Sequence, residues 1–72
     1  MPLTLMVNGE TRVLEPAPTP ASLAIVVALL ANNPQLVVAE HNGAIAPRSR
    51  WDNIVVKDDD TLEIVTIVGG GS

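Results

Sequence analysis

The chain has 72 residues, no cysteine and a formal net charge of −4. That length allows one domain, near the lower limit at which an apolar core holds without a metal or disulfide. The lack of cysteine excludes a disulfide framework, a thiolate metal site and a cysteine nucleophile, and the acidic balance favours a basic protein surface as partner over nucleic acid or an anionic membrane.

Met1-Pro2-Leu3 places no basic segment ahead of an apolar stretch, so no secretory signal is expected and the cytoplasm is the expected location. Leu3, Leu5 and Val7 alternate with Thr4, Met6 and Asn8, the period of a strand with one face on a core. Asn8-Gly9 is a strong hairpin signal because both residues tolerate positive φ. Glu10 to Glu15 then reads as the returning strand, with Thr11 and Val13 on one face and Arg12 and Leu14 on the other.

Pro16, Pro18 and Pro20 forbid a ladder through the next segment. Thr19-Pro20 fits an N-cap followed by proline at the first helical position, so a helix is predicted from about Pro20 to Asn32, stopped by Asn32-Asn33-Pro34. Ala21 to Ala31, interrupted by Ser22, is the longest apolar stretch and far short of the roughly 20 residues that span a bilayer. Leu23, Val26, Val27 and Leu30 form a stripe that packs on a sheet. Ile25 and Leu29 lie on another side, where they either widen the core face, the favoured reading, or form a contact surface.

Leu36 to His41 reads as a strand closed by Asn42-Gly43, with a short extended piece at Ala44 to Ala46. Arg48 to Asn53 is expected to be a turn or short helix anchored by Trp51, the only aromatic residue. Lys57-Asp58-Asp59-Asp60 is a turn before a last strand, Leu62 to Val68. The predicted class is α+β, with one domain over residues 1–68 and a flexible glycine-rich tail over residues 69–72.

That tail, Gly69-Gly70-Gly71-Ser72, has two readings. Consecutive glycines give a thin, permissive backbone that can enter a narrow channel and present a carboxylate at its tip, as a carrier working through its C-terminus requires. A Gly/Ser run is equally the usual spacer. In the strand before it, Leu62 and Ile64 facing inward would leave Glu63, Val65 and Ile67 on the opposite face. There, Val65 and Ile67 either form a docking patch beside the tail or are partly covered within the fold.

Other side chains offer less. Asp58-Asp59-Asp60 lacks the alternating ligands and later bidentate glutamate of a calcium loop, so a solvated turn is expected and no metal is assigned. His41 has no serine or cysteine nucleophile to serve and reads as a strand-end residue. Arg48 and Arg50 flank Ser49 without a glycine-rich loop, which favours a surface or partner-facing role over phosphate binding. A lone Trp51 makes no stacking platform for bases. No nucleophile, base and orienting group can be assembled, so no catalytic residue is expected.

Several segments in order carry a resemblance: Val7-Asn8-Gly9, Val38-Ala39-Glu40-His41-Asn42-Gly43 with Ala44-Ile45, Pro47-Arg48 followed by Trp51, Lys57-Asp58-Asp59-Asp60 before Leu62-Glu63-Ile64, and the terminal glycines. With these, the chain resembles the ubiquitin-like β-grasp sulfur carriers, most closely the ThiS thiamine-biosynthesis carriers, over nearly its whole length. The resemblance implies a mixed sheet of four to five strands packed on one helix. It also implies a carrier cycle in which an E1-like adenylating enzyme of the ThiF type uses ATP and Mg to activate the C-terminal glycine carboxylate. A sulfur donor protein then converts the acyl-adenylate to a thiocarboxylate, and a thiazole synthase of the ThiG type takes the sulfur.

By that likeness Gly70-Gly71 matches the family's terminal pair and Gly71 bears the activated carboxylate, with no cofactor bound by the carrier itself. Ser72 overhangs the pair, and is expected to be removed by a peptidase or to be foreign to the native chain. The related molybdopterin sulfur carrier, a ubiquitin-like modifier and a non-covalent β-grasp interaction module are the alternatives.

Overall fold

The computed structural model describes residues 1–67; Val68, Gly69, Gly70, Gly71 and Ser72 lie outside the described residues. Strands β1 (Leu3–Val7) and β2 (Glu10–Leu14) form the first hairpin, and the helix α1 (Leu23–Leu30) follows. A 3-10 turn at Pro34–Leu36 leads into β3 (Val37–His41) and β4 (Ala44–Ala46), and a 3-10 helix at Arg48–Asn53 precedes β5 (Thr61–Thr66). The sheet has five strands in the order β2-β1-β5-β3-β4. Strand β5 runs parallel to β1 and antiparallel to β3, and the two hairpins are antiparallel. This is the mixed sheet on one helix that the sequence led us to expect.

Alternation decides which side of each strand meets the helix. Leu3, Leu5 and Val7 of β1, Val37 and Ala39 of β3, Ala46 of β4 and Leu62 of β5 are buried together with Leu23, Val26 and Val27 of α1. The strand residues between them point to the other face, as period-two geometry requires. Both hairpins turn through Asn-Gly pairs in the left-handed region, with φ of 51° and 82° at Asn8 and Gly9 and of 52° and 87° at Asn42 and Gly43. These values match the two-residue turn whose twist suits adjoining strands.

The helix is shorter than predicted and starts elsewhere. Its N-cap is Ser22, whose hydroxyl accepts from the Ile25 N–H at 3.3 Å, rather than Thr19. The cause is tertiary: Ser22 bridges Val55, the Val56 N–H donates to Ala21 O at 2.8 Å and the Leu23 N–H to Ile54 O at 2.8 Å, so residues 21 and 22 are held extended. At the far end Ala31, in an extended conformation, closes the helix before Asn32. Ile25 and Leu29 do not widen the core: Leu29 is 58% exposed and Ile25 38%. An eight-residue helix lying on one sheet buries one stripe, and the opposite side meets solvent.

Trp51 is the anchor expected of it. Its indole is buried, the Nε1–H donates to Ala46 O at 2.8 Å, and the Arg48 guanidinium stacks 4.4 Å from the ring centroid. The same guanidinium donates to Pro34 O at 2.8 Å and Val37 O at 2.9 Å, tying the 3-10 helix to the start of β3. These bonds engage Arg48 within the fold.

At the other end of the sheet, two carboxylates of the Asp58-Asp59-Asp60 turn are held by hydrogen bonds. Asp58 Oδ1 accepts from the Thr4 N–H at 2.9 Å. Asp60 accepts from His41 Nε2 at 2.8 Å, from the Lys57 N–H at 2.9 Å and from Asn42 Nδ2 at 3.2 Å. Burial by itself raises the Asp60 pKa, but the hydrogen bonds from His41, Lys57 and Asn42, with the field of His41, outweigh it and hold the carboxyl below its usual 3.8.

Two outcomes follow from this arrangement. Leu62→Ala, at a fully buried position of the central strand, should lower the unfolding free energy by about 3 kcal/mol in urea titration, whereas Val65→Asp on the outer face should cost less than about 1 kcal/mol. Because the folded pKa of Asp60 is depressed, its ionised form stabilises the fold above 3.8, and that contribution is lost as pH falls through the lowered folded value. The stability gap between wild type and Asp60→Asn should therefore be widest above pH 3.8 and close below it, as read from denaturant midpoints across an acid series.

Candidate functional site: the outer sheet face and the end of the central strand

Strand β5 is the last described element before the glycines, and it occupies the middle of the sheet. Its register against β3 places Val65 opposite Val38, Glu63 opposite Glu40 and Thr66 opposite Val37. Beyond the strand, the Ile67 N–H still donates to Leu36 O at 2.6 Å, so the pairing with the β3 side persists to the end of the described chain.

Leu62 and Ile64 face the core as expected, and Glu63, Val65 and Ile67 face away from it. Val65 is 56% exposed and Ile67 52%, so among the described residues no other element covers this face. Here the structure adds residues that the sequence reading did not assign. Val38 from β3 and Ile45 from β4 stand beside Val65, and Ile45 is 77% exposed. With Ala39, Glu40 and Glu63, they line a shallow groove of about 180 Å³. A signal for Val38 was present in the alternation of Val37-Val38-Ala39-Glu40, but only strand order reveals that it joins Val65.

The electrostatics of the groove are one-sided. Glu40 and Glu63 are directly opposite each other across the β3–β5 ladder, a juxtaposition of like charges that disfavours the isolated sheet. Among the described residues the single ion pair is His41–Asp60, so neither glutamate is neutralised by a lysine or arginine of the chain. An apolar floor beside two unneutralised carboxylates is suited to a partner that brings apolar side chains and at least one cation.

Of the remaining candidates, His41 lies at the end of β3 and is committed to Asp60. Among the described residues there is no group of three or more histidine and acidic side chains able to hold a metal ion. Nor is any helix among them long and apolar enough to cross a membrane. Gly69, Gly70 and Gly71 lie outside the described residues.

Comparison with known proteins agrees with this architecture. Residues 5–71 match the model of the ThiS family. A crystal structure of the thiamine biosynthesis protein ThiS from Geobacter metallireducens superposes with a TM-score of 0.78 at 30% identity, covering 96% of this chain and all of that one. The uncharacterized protein ycf40 of Trieres chinensis is 46% identical over 39 residues, covering 54% of this chain and 53% of that protein. A thiazole synthase of Paramagnetospirillum magneticum is 36% identical over 70 residues, covering 97% of this chain but 21% of the synthase. The chain thus spans about half the length of the first of these two relatives and about a fifth of the second. With a family match running through nearly every residue of a ubiquitin-like β-grasp sheet, the chain belongs to the ThiS family.

Proposed function

We propose that this chain is a sulfur carrier of thiamine biosynthesis, acting as a co-substrate rather than a catalyst, with Gly71 as the residue whose carboxylate is activated. The observation that carries this reading is the family match, which extends to Gly71 and leaves Ser72 beyond it. In the proposed cycle an adenylating enzyme of the ThiF type binds ATP and Mg. Hydrolysis of the Gly71–Ser72 peptide bond first frees the Gly71 carboxylate, which then attacks the α-phosphorus, and pyrophosphate leaves. The resulting acyl-adenylate is a good acylating group where the carboxylate was a poor one. Sulfide-level sulfur delivered by a donor protein attacks the acyl carbon, AMP leaves, and the sulfur remains as a thiocarboxylate, which a thiazole synthase consumes. The carrier needs no thiol of its own, in keeping with a sequence free of cysteine.

Gly69 and Gly70 serve this cycle by thinness, since a Cβ at either position would widen the segment that has to enter the adenylating site. Docking is assigned to the outer face, where Val65, Ile67 and Glu63 act together with Val38, Ile45 and Glu40. The partner surface we envisage has an apolar centre and an arginine or lysine facing the Glu40 and Glu63 pair. A thiazole synthase as sulfur acceptor is supported by the relative that carries a ThiS-like stretch within a synthase polypeptide. Joining two partners in one chain raises their effective concentration and suits a transfer between them. The cycle is proposed to be cytoplasmic, where ATP is available.

Intact mass spectrometry tests the reading directly. After the chain ending at Gly71, with Ser72 removed, is incubated with adenylating enzyme, ATP and sulfur donor, a species with one Gly71 carboxylate oxygen replaced by sulfur is expected. A uniform unmodified chain would instead favour a non-covalent interaction module. Deletion of residues 70–72 should abolish transfer while leaving the unfolding midpoint unchanged. Val65→Asp should lower the rate of activation at subsaturating carrier by about tenfold or more, measured by ATP–pyrophosphate exchange. Unchanged exchange would remove the outer face from the docking surface.

A further inference from the structure

The first Asn-Gly turn does more than reverse the chain. Strand β1 ends at Val7, which pairs with Leu62, and the Asn8 N–H makes one further bond to Leu62 O at 2.9 Å. Past that point the backbone turns away through Gly9. The Asn8 side chain then takes the place of a strand residue: Oδ1 accepts from the Ile64 N–H at 2.7 Å, and Nδ2 donates to Ile64 O at 3.0 Å. One carboxamide thereby satisfies both backbone groups of Ile64 on the side that β1 no longer reaches.

On its other side β5 remains paired to β3 through Ala39, Val38 and Val37. Without the carboxamide, everything after Leu62 would be held from one side only. A strand held along one edge can twist about it, and its outgoing direction is then less defined. With the carboxamide in place, the two-sided hold extends to Ile64, closer to the glycines.

We propose that Asn8 is a positioning residue, whose carboxamide fixes the direction in which the central strand leaves the sheet and so delivers the terminal glycine to the adenylating enzyme. The inference rests on the carrier reading above. The turn alone does not explain the residue, because glycine and aspartate also adopt the left-handed region in such turns. Only asparagine combines that conformation with one donor and one acceptor at matching positions.

The second turn supplies the control. Asn42 has nearly the same φ as Asn8, and its Oδ1 accepts from the Thr61 N–H at 2.8 Å, at the start of β5 rather than near its end. Asn8→Gly and Asn42→Gly each keep a turn-competent residue and each remove a carboxamide from β5. Both should lower the unfolding midpoint.

Activation kinetics with the adenylating enzyme, run where both variants are fully folded, separate the two roles. Asn8→Gly should lower kcat about tenfold with KM for the carrier little changed, since the docking face is intact and only delivery of the glycine suffers. Asn42→Gly should leave kcat at the wild-type value. Asn8→Asp, which keeps the acceptor for the Ile64 N–H and loses the donor, should fall between. Independently of any enzyme, amide exchange at Ile64 should quicken at least tenfold in Asn8→Gly and stay slow in Asn42→Gly. Equal kcat for Asn8→Gly and wild type, or unaltered exchange at Ile64, would overturn the inference while leaving the carrier reading intact. A chain ending at Gly71, otherwise wild type, that is never adenylated would overturn both.

Discussion

The rest of the structure depends on the insertion of β5 between β1 and β3. The last strand in sequence becomes the middle strand in space, parallel to the first and antiparallel to the third. Without it, the domain is two separate hairpins and a helix with nothing continuous to pack on. Leu62 supplies the centre of that surface, fully buried among the apolar side chains of α1 and its strand neighbours. The same strand carries Val65 and Glu63 on the opposite face and runs toward the glycines. The buried face and the exposed apolar face are therefore two aspects of one six-residue element, and a change in its register would move both together.

Asparagine side chains reinforce this insertion from both flanks. Each hairpin ends in an Asn-Gly turn, and each turn lends its asparagine to β5: Asn42 at Thr61 and Asn8 at Ile64. The His41–Asp60 pair and the Asp58 bond to the Thr4 N–H add anchors at the strand's beginning. A domain this small buries little apolar surface, so polar contacts of high sequence separation contribute a larger share of its definition than they would in a larger one.

Much of the fold was legible in local pattern, and what was not legible had non-local causes. Alternation in Leu3 to Val7 and in Leu62 to Ile67 assigns inward and outward faces correctly because period two belongs to the backbone itself. The helix start at Ser22 was hidden because Thr19-Pro20 offers an equally good local cap, and the decision is made by Ile54, Val55 and Val56, more than thirty residues away in the chain. The exposure of Ile25 and Leu29 was hidden because the apolar run is hydrophobic on every side and gives no polar stripe to mark the outside. At the candidate site, Glu63, Val65 and Ile67 follow from alternation alone. Val38, Glu40 and Ile45 join them only once the strand order is known. The contacts of Asn8 and Asn42 to β5 were masked by the strength of the turn signal, which already accounts for an asparagine at each position.

The burial of Trp51 has an optical consequence. It is the only aromatic residue of the chain, so the intrinsic fluorescence of the domain comes from one indole. That indole sits on the core side, bonded to Ala46 and covered by Arg48, with the sheet between it and the groove formed by Val38, Ile45 and Val65. Its emission therefore reports loss of the core, and the molecule carries a built-in folding probe.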